Sequence, residues 1–255
     1  MTMLQPGWNE LGKSHEGRII RAYANFDSGK VGAGGWTLIL GGTHGDERAT
    51  VPFLEHFIEC HLGNGKGLGA TAVLPVLNPD GYERNTRHNA RGVDLNRNFP
   101  GLWSADADEP PGPHALSEPE SRLLHDLLSH GKPARIISLH WALSEIDADG
   151  EEGYKWGRSL WERLHPHHRS LFRMKMPDSG SFLPGSLGTF CRTAMKNSVH
   201  LLTLELPYHY KPELNPLPED HFITARRVWD AEREKYWQAV YPAVESLLLS
   251  AVGSR

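Results

Sequence analysis

The sequence predicts an α/β fold: one domain over residues 1–255, built on a mixed, mainly parallel twisted sheet with helices on both faces. Three observations carry this expectation. Short apolar runs at residues 36–41, 71–77, 135–139 and 200–206 alternate with segments whose apolar residues recur at helical spacing. The run at 36–41 is continuously apolar, as a strand covered on both faces is. Finally, His44, Asn78, His140 and Glu205 each fall at or just past the carboxyl end of one of these runs. Open α/β sheets place their sites there.

Composition narrows the class. The 255 residues, 39% of them hydrophobic, suffice for one large core, and no linker, repeat or low-complexity run divides them. A net charge of −4, from 27 basic and 31 acidic residues, lacks the basic excess of a nucleic-acid binder. No segment has the pattern of a signal peptide or the apolar length of a membrane span. Cys60 and Cys191 are too few for a disulfide framework. A soluble, cytoplasmic protein with no nucleic-acid or membrane partner is expected, and 15 histidines lean mildly toward metal chemistry.

Taken in order, residues 1–17 read as irregular, and a strand follows at 18–24. Residues 36–41 form the next strand. Phe53, Leu54, Phe57 and Ile58 give residues 51–62 helical spacing, with Pro52 in the first turn, where a missing N–H costs little. The glycine-rich stretch 63–69 is not a phosphate loop, because it follows a helix and leads into a strand rather than the reverse. It is a connector to the strand at 71–77. Residues 78–117 are mostly irregular, and ordered loops of that length are usually functional. Ser117 is placed to cap a helix running to about 130, with Glu120 three residues on. A strand at 135–139 ends on His140. Helices are expected at 153–164 and 187–196, strands at 171–176 and 200–206, and one or two long helices at 218–249.

The residues at the strand ends make a chemical set. His44 and Glu47, three apart just past a buried strand, can both turn toward one point above the sheet. Alone they would more often be a surface pair, and His140 alone a satisfied core histidine. Together the three would form a zinc site of two His and one Glu, which leaves a fourth position open, as catalytic zinc sites do. Glu205 lies within an apolar strand, where a carboxylate is costly unless it is paired or functional. Arg84, Arg87, Arg91 and Arg97 crowd one segment, which reads as a solvated loop or as an anion pocket. His165, His167 and His168 read as an exposed turn, since no carboxylate or thiol stands at helpful spacing, and Cys191 reads as packing. A nucleophile elbow is absent: Pro184 stands where Gly-x-Ser-x-Gly needs its first glycine.

Four motifs occur in order: His44-Gly45-Asp46-Glu47, Asn78-Pro79-Asp80-Gly81, Val93-Asp94-Leu95-Asn96-Arg97-Asn98-Phe99 and Thr203-Leu204-Glu205-Leu206. In these the chain resembles the zinc carboxypeptidase family, typified by carboxypeptidase A, over roughly residues 12–207. The run from Pro184 to Phe190 is similar to the small bacterial branch that contains murein peptide amidase, which trims the γ-D-glutamyl–diaminopimelate bond of cell-wall peptides. The resemblance implies one zinc ion held by His44, Glu47 and His140. It implies Glu205 as general base and later proton donor, with Arg87 polarising the scissile carbonyl and steadying the oxyanion. Asn96 and Arg97 would grip the substrate's free carboxylate, and Asp94 would fix the tautomer of His44. The chemistry suits these roles. A positioned carboxylate base adds roughly 10²–10⁴-fold, and a guanidinium pairs with a carboxylate through two parallel hydrogen bonds.

The chain also departs from the digestive members. Their mobile tyrosine has no counterpart in Asp178-Ser179-Gly180-Ser181-Phe182, and Tyr208 or Tyr210 is the nearest alternative. Gly188 stands where those enzymes shape their specificity pocket, so their side-chain preferences do not transfer. No N-terminal pro-segment is expected, and an enzyme made active in the cytoplasm must avoid ordinary protein ends, which favours an unusual substrate such as a muropeptide with a free carboxylate. Two other functions share the fold: a deacylase of the succinylglutamate desuccinylase or aspartoacylase type, and a silent peptide-binding protein. Asn-Pro-Asp-Gly and Asn-Arg-Asn-Phe favour the peptidase over the first; intact Glu205 and Arg87 argue against the second.

Overall fold

The structure is a computed structural model that describes residues 3–32, 34–63, 67–148, 150–175, 182–195, 199–212 and 218–253. Its strands are β1 (Gly7–Lys13), β2 (Ile19–Ala24), β3 (Thr37–Leu40), β4 (Thr71–Leu74), β5 (Arg135–Trp141), β6 (Glu145–Ala148), β7 (Arg173–Met174) and β8 (His200–Leu206). They form one sheet in the order β1-β2-β4-β3-β5-β8-β6-β7. The centre, β4-β3-β5-β8, is parallel, and antiparallel pairs join β1 to β2, β2 to β4 and β6 to β8. The expected mixed sheet is therefore observed.

Helices cover both faces, which is why every residue of β3 and β4 is buried. Ile39, Val73 and Ile137 pack with Phe53 and Leu54 of α1 (Thr50–Phe57), Leu160 of α4 (Gly150–Arg163) and Tyr236 and Leu247 of α7 (His221–Val252). Leu38, Leu40, Leu74 and Ile136, on the alternate positions, pack with Leu124 and Leu128 of α3 (Pro119–Gly131) and Phe190 of α6 (Leu187–Thr193). Each fully buried side chain of this size contributes roughly 1.5–3 kcal/mol. Cys191 is buried in this second cluster, as expected.

Several elements differ from expectation. The N-terminal stretch read as irregular contains β1, an edge strand whose residues are mostly half-exposed and so carry little apolar signal. β6 is short and charged, and it exists because β8 pairs with it. The strand expected at 171–176 shrinks to β7, with Met176 outside the described residues. Ser117 does not cap α3. Pro119 opens that helix and Glu118 takes the cap position without a side-chain bond. The Ser117 hydroxyl instead donates to Glu118 Oε1 at 2.7 Å and accepts from Asn98 Nδ2 at 2.9 Å. α7 is one helix with an irregular residue at Glu232 and Pro242 inside it. The middle of the glycine connector (64–66), residues 178–181 and Lys196 lie outside the described residues. His165, His167 and His168 flank or form the short exposed helix α5 (Pro166–Arg169).

The long segment between β4 and α3 is largely irregular, yet side chains pin it. Asn98 Nδ2 also donates to the carbonyls of Pro111 (2.7 Å) and His114 (3.1 Å), so a buried amide replaces regular backbone pairing. Asn78 caps a short helix, α2 (Pro79–Arg84), accepting from Gly81 N at 2.9 Å. No helix among the described residues is long and apolar enough to cross a membrane.

Candidate metal centre and active site

Three segments meet at the carboxyl end of the central sheet. The loop after β3 carries His44 and Glu47, β5 carries His140, and β8 carries Glu205. The His44 loop lies against α2: a Cβ on Gly45 would meet the Gly81 carbonyl carbon at 2.0 Å, so only glycine permits this approach. His44 Nδ1 lies 2.7 Å from Glu47 Oε1, and His140 Nδ1 lies 3.1 Å from Glu47 Oε2. All three residues are buried, and one ligand atom from each falls within 4.8 Å of the others. The expected trio is thus brought together from distant parts of the chain.

The far side of each imidazole is held. His44 Nε2 is 3.2 Å from Asp94 Oδ1, and His140 Nε2 is 3.1 Å from the Ser138 hydroxyl. Asp94, buried, also accepts from Asn96 N at 2.7 Å and from Arg87 Nη2 at 2.9 Å and Nε at 3.1 Å. A proton on His44 Nε2 leaves Nδ1 with its lone pair facing Glu47. Ser138 was not foreseen; its position two residues before His140 on one strand face was the available signal.

The electrostatics ask for a cation. Burial alone would depress His44, but Glu47 and Asp94 push it up to about 9. Burial alone would raise Glu47, but His140 and His44 hold it down at about 2. Both Glu47 oxygens face imidazole nitrogens, Oε1 that of His44 and Oε2 that of His140. Two imidazole nitrogens and a carboxylate facing one another are the donor set of a zinc site with an open fourth position. The residues present therefore fit the metal.

Glu205 stands beside this centre in the same cavity of about 420 Å³. Its Oε2 is buried without a hydrogen-bond partner. Burial and then Glu47 raise its pKa well above the usual carboxylate range, and His44 and the Leu143 N–H only partly oppose them. Arg87 lines the cavity, with Nη1 3.4 Å from His44 Nδ1. Asn96 and Arg97 line it too. Gly185, at φ +70°, presses on Arg97: a Cβ there would meet the Arg97 carbonyl oxygen at 2.0 Å. Asn96 Oδ1 accepts from Leu187 N at 2.9 Å. The buried Arg97 guanidinium already holds a carboxylate: Asp108 binds it in a fork, at 2.7 Å to Nε and 3.1 Å to Nη2. Nothing in the motif reading pointed to Asp108.

Other candidates do not join the site. Asn78 holds backbone, through Gly81 N and the Arg87 carbonyl, and does not line the cavity. Tyr208 is packed in the core, and Tyr210 donates to Glu232 at 2.7 Å; neither lines the cavity, so neither replaces the missing tyrosine in this arrangement. Gly188 does line it. A second grouping, His88, Asp94 and Glu109, is spoken for by a cation already, since Arg87 bonds Asp94 and lies 3.6 Å from Glu109.

Fold and site together define a metallopeptidase of the zinc carboxypeptidase class. The family model for zinc carboxypeptidases matches residues 8–146, more than half of the chain, and the chain belongs to that family. It is a peptide hydrolase. Murein peptide amidase A of Escherichia coli K12 is 34% identical over 187 residues, covering 67% of this chain and 70% of that protein. The Vibrio campbellii protein of the same name is 31% identical over 192 residues, covering 67% and 68%. Among solved structures, the murein-tripeptide amidase of Escherichia coli O157 superposes with TM-score 0.61 at 28% identity, over 88% of this chain and 92% of that one. Carboxypeptidase A of Helicoverpa armigera shares the fold, with TM-score 0.64 at 22% identity over 96% of this chain and 69% of that one.

Proposed function

We propose that this protein is a zinc-dependent metallocarboxypeptidase of muropeptides, cutting the γ-D-glutamyl–diaminopimelate bond next to a free carboxylate. The observation that carries the reading is the convergence of His44, Glu47 and His140 beside Glu205, whose Oε2 is buried without a hydrogen-bond partner. The names of the two bacterial relatives support the substrate class.

His44, Glu47 and His140 are the residues that would hold one zinc ion. When bound, zinc acts as a Lewis acid and brings the pKa of a water toward about 7. Glu205 Oε2 takes the proton of the attacking water and passes it to the leaving amine. Burial raises its proton affinity, which suits the donor step, and a cation bound at the neighbouring centre would favour the carboxylate form that the first step needs. Arg87 points its guanidinium at the carbonyl oxygen as negative charge develops there, and Asp94 fixes its plane through two hydrogen bonds. Arg97 and Asn96 receive the substrate's terminal carboxylate, which takes the fork that Asp108 occupies. Ser138 and Asp94 orient the two imidazoles.

The cytoplasm suits an enzyme for recycled cell-wall fragments, and Cys60 and Cys191 form no disulfide. The deacylase alternative has no observation in its favour. Product analysis by mass spectrometry, on zinc-loaded protein with a mixed set of muropeptides and ordinary peptides, tests the proposal. Release of diaminopimelate is expected. Release of nothing from muropeptides, or turnover of N-acyl amino acids alone, would overturn it.

A further inference from the structure

One wall of the cavity, built by β6 and β8, carries charge that the hydrolytic chemistry does not use. β6 runs antiparallel to β8, with Glu145 opposite Glu205 and Asp147 opposite Thr203. Residues directly opposed in such a pair share a face, as do alternate residues along a strand. Glu205, Thr203, Glu145 and Asp147 therefore all face the cavity, and all four line it. Asp147 sits one pleat repeat from the level of Glu205, about 7 Å along the strand at roughly 3.4 Å per residue. β7 lies beyond β6, and the chain leaving it brings Lys175 into the same wall, where Nζ donates to Asp147 Oδ2 at 2.7 Å. Asp147 and Lys175 are each about two-fifths exposed, at 38% and 40%, so both can be reached from the cavity.

An exposed ion pair of this kind contributes little to stability, about 0–1 kcal/mol. Its position therefore matters more than its strength. One anion and one cation side by side present the complement of a group that carries an ammonium and a carboxylate on the same carbon. The pair can exchange partners with such a group, so that each charge meets its opposite. A side chain ending in an ammonium alone would engage Asp147 and offer Lys175 nothing. A side chain ending in a carboxylate alone would do the reverse.

We propose that Asp147 and Lys175 are specificity-determining residues that bind the zwitterionic end of the released residue's side chain, an α-amino carboxylate such as that of diaminopimelate. This rests on the muropeptide reading above and assigns its selectivity to two residues. Asp147 accepts from the ammonium, Lys175 donates to the carboxylate, and Arg97 is left for the other carboxylate at the chain end.

The test is kcat/KM on three substrates that differ only in the residue after γ-D-glutamate: diaminopimelate, lysine and alanine. The wild-type protein is expected to prefer diaminopimelate. Lys175→Gln should lower kcat/KM for diaminopimelate by about tenfold, the order expected for losing a hydrogen bond to a charged group, and leave lysine and alanine unchanged. Asp147→Asn should lower both the diaminopimelate and the lysine values and spare alanine. Unchanged turnover of alanine shows that the variants remain folded and chemically competent. If the wild-type protein cleaves the diaminopimelate substrate and both variants keep its preference, the pair does not select, and the inference is overturned while the muropeptide reading stands. If the wild-type protein cleaves none of the three, both fall.

Discussion

Replacing Asp94 by Asn removes one charge and no bulk, and the structure sets the consequence. Asp94 Oδ1 faces His44 Nε2 at 3.2 Å, and Oδ2 accepts two hydrogen bonds from Arg87. An amide has one acceptor and one donor end. If its oxygen faces Arg87, its NH2 faces His44 Nε2, which must then accept; the imidazole proton moves to Nδ1, the atom that points at Glu47 and the metal position. If the amide turns round, its NH2 opposes the Arg87 donors instead. Loss of a partner that orients a metal-bound imidazole typically costs 10–100-fold in affinity, about 1.4–2.8 kcal/mol. The zinc dissociation constant, from competition with a chromophoric chelator near pH 7.5, should therefore rise by about that factor for Asp94→Asn. Far-ultraviolet circular dichroism of the metal-free protein should stay unchanged. A dissociation constant equal to that of the wild-type protein would refute the tautomer argument.

Glu205→Gln should bind zinc normally and lose roughly 10²–10⁴-fold in kcat, read by metal analysis and a turnover assay on the same sample. Arg97→Ala should raise KM for substrates ending in a free carboxylate and do little for their amides; equal effects on both would contradict its role. Asp108→Ala removes the internal occupant of the Arg97 fork and should lower KM for free-ended substrates severalfold with kcat nearly unchanged. Asp80 tests stability. Burial would raise its carboxyl, but the Ser14 hydroxyl, Arg18 and the Glu16 N–H outweigh burial and hold it below the usual value of 3.8. A depressed folded pKa gives stability that is present above the unfolded value and lost as pH falls through the folded one. Chemical denaturation of Asp80→Asn and wild-type protein should therefore differ at pH 7 and converge as the pH drops below about 4. A constant gap across that range would show that the charge is not what stabilises.

The sequence disclosed what local chemistry dictates and hid what tertiary pairing decides. Leu38, Ile39 and Leu40 are apolar without a break because helices cover both faces, so β3 was legible, as were β4, β5 and β8. β1 and β6 were not: one is an edge strand with exposed residues, the other four residues long and charged, and each is defined by the neighbour it pairs with. Ser117 and Glu120 spelled a helix cap, but the hydroxyl was drawn to Asn98. His44, Glu47, His140 and Glu205 were legible because strand ends converge in such a sheet. Ser138 and Asp108 were not, since a serine within a strand and an aspartate within a long loop are ordinary until folding places them on His140 and Arg97.

Anomalous diffraction at the zinc edge, on crystals of the zinc-loaded protein, tests the central claim most directly. The account predicts one ion at about 2.0–2.2 Å from His44 Nδ1, His140 Nδ1 and a Glu47 oxygen. A fully active crystal with its only peak elsewhere, at His88 and Glu109 for instance, would contradict it.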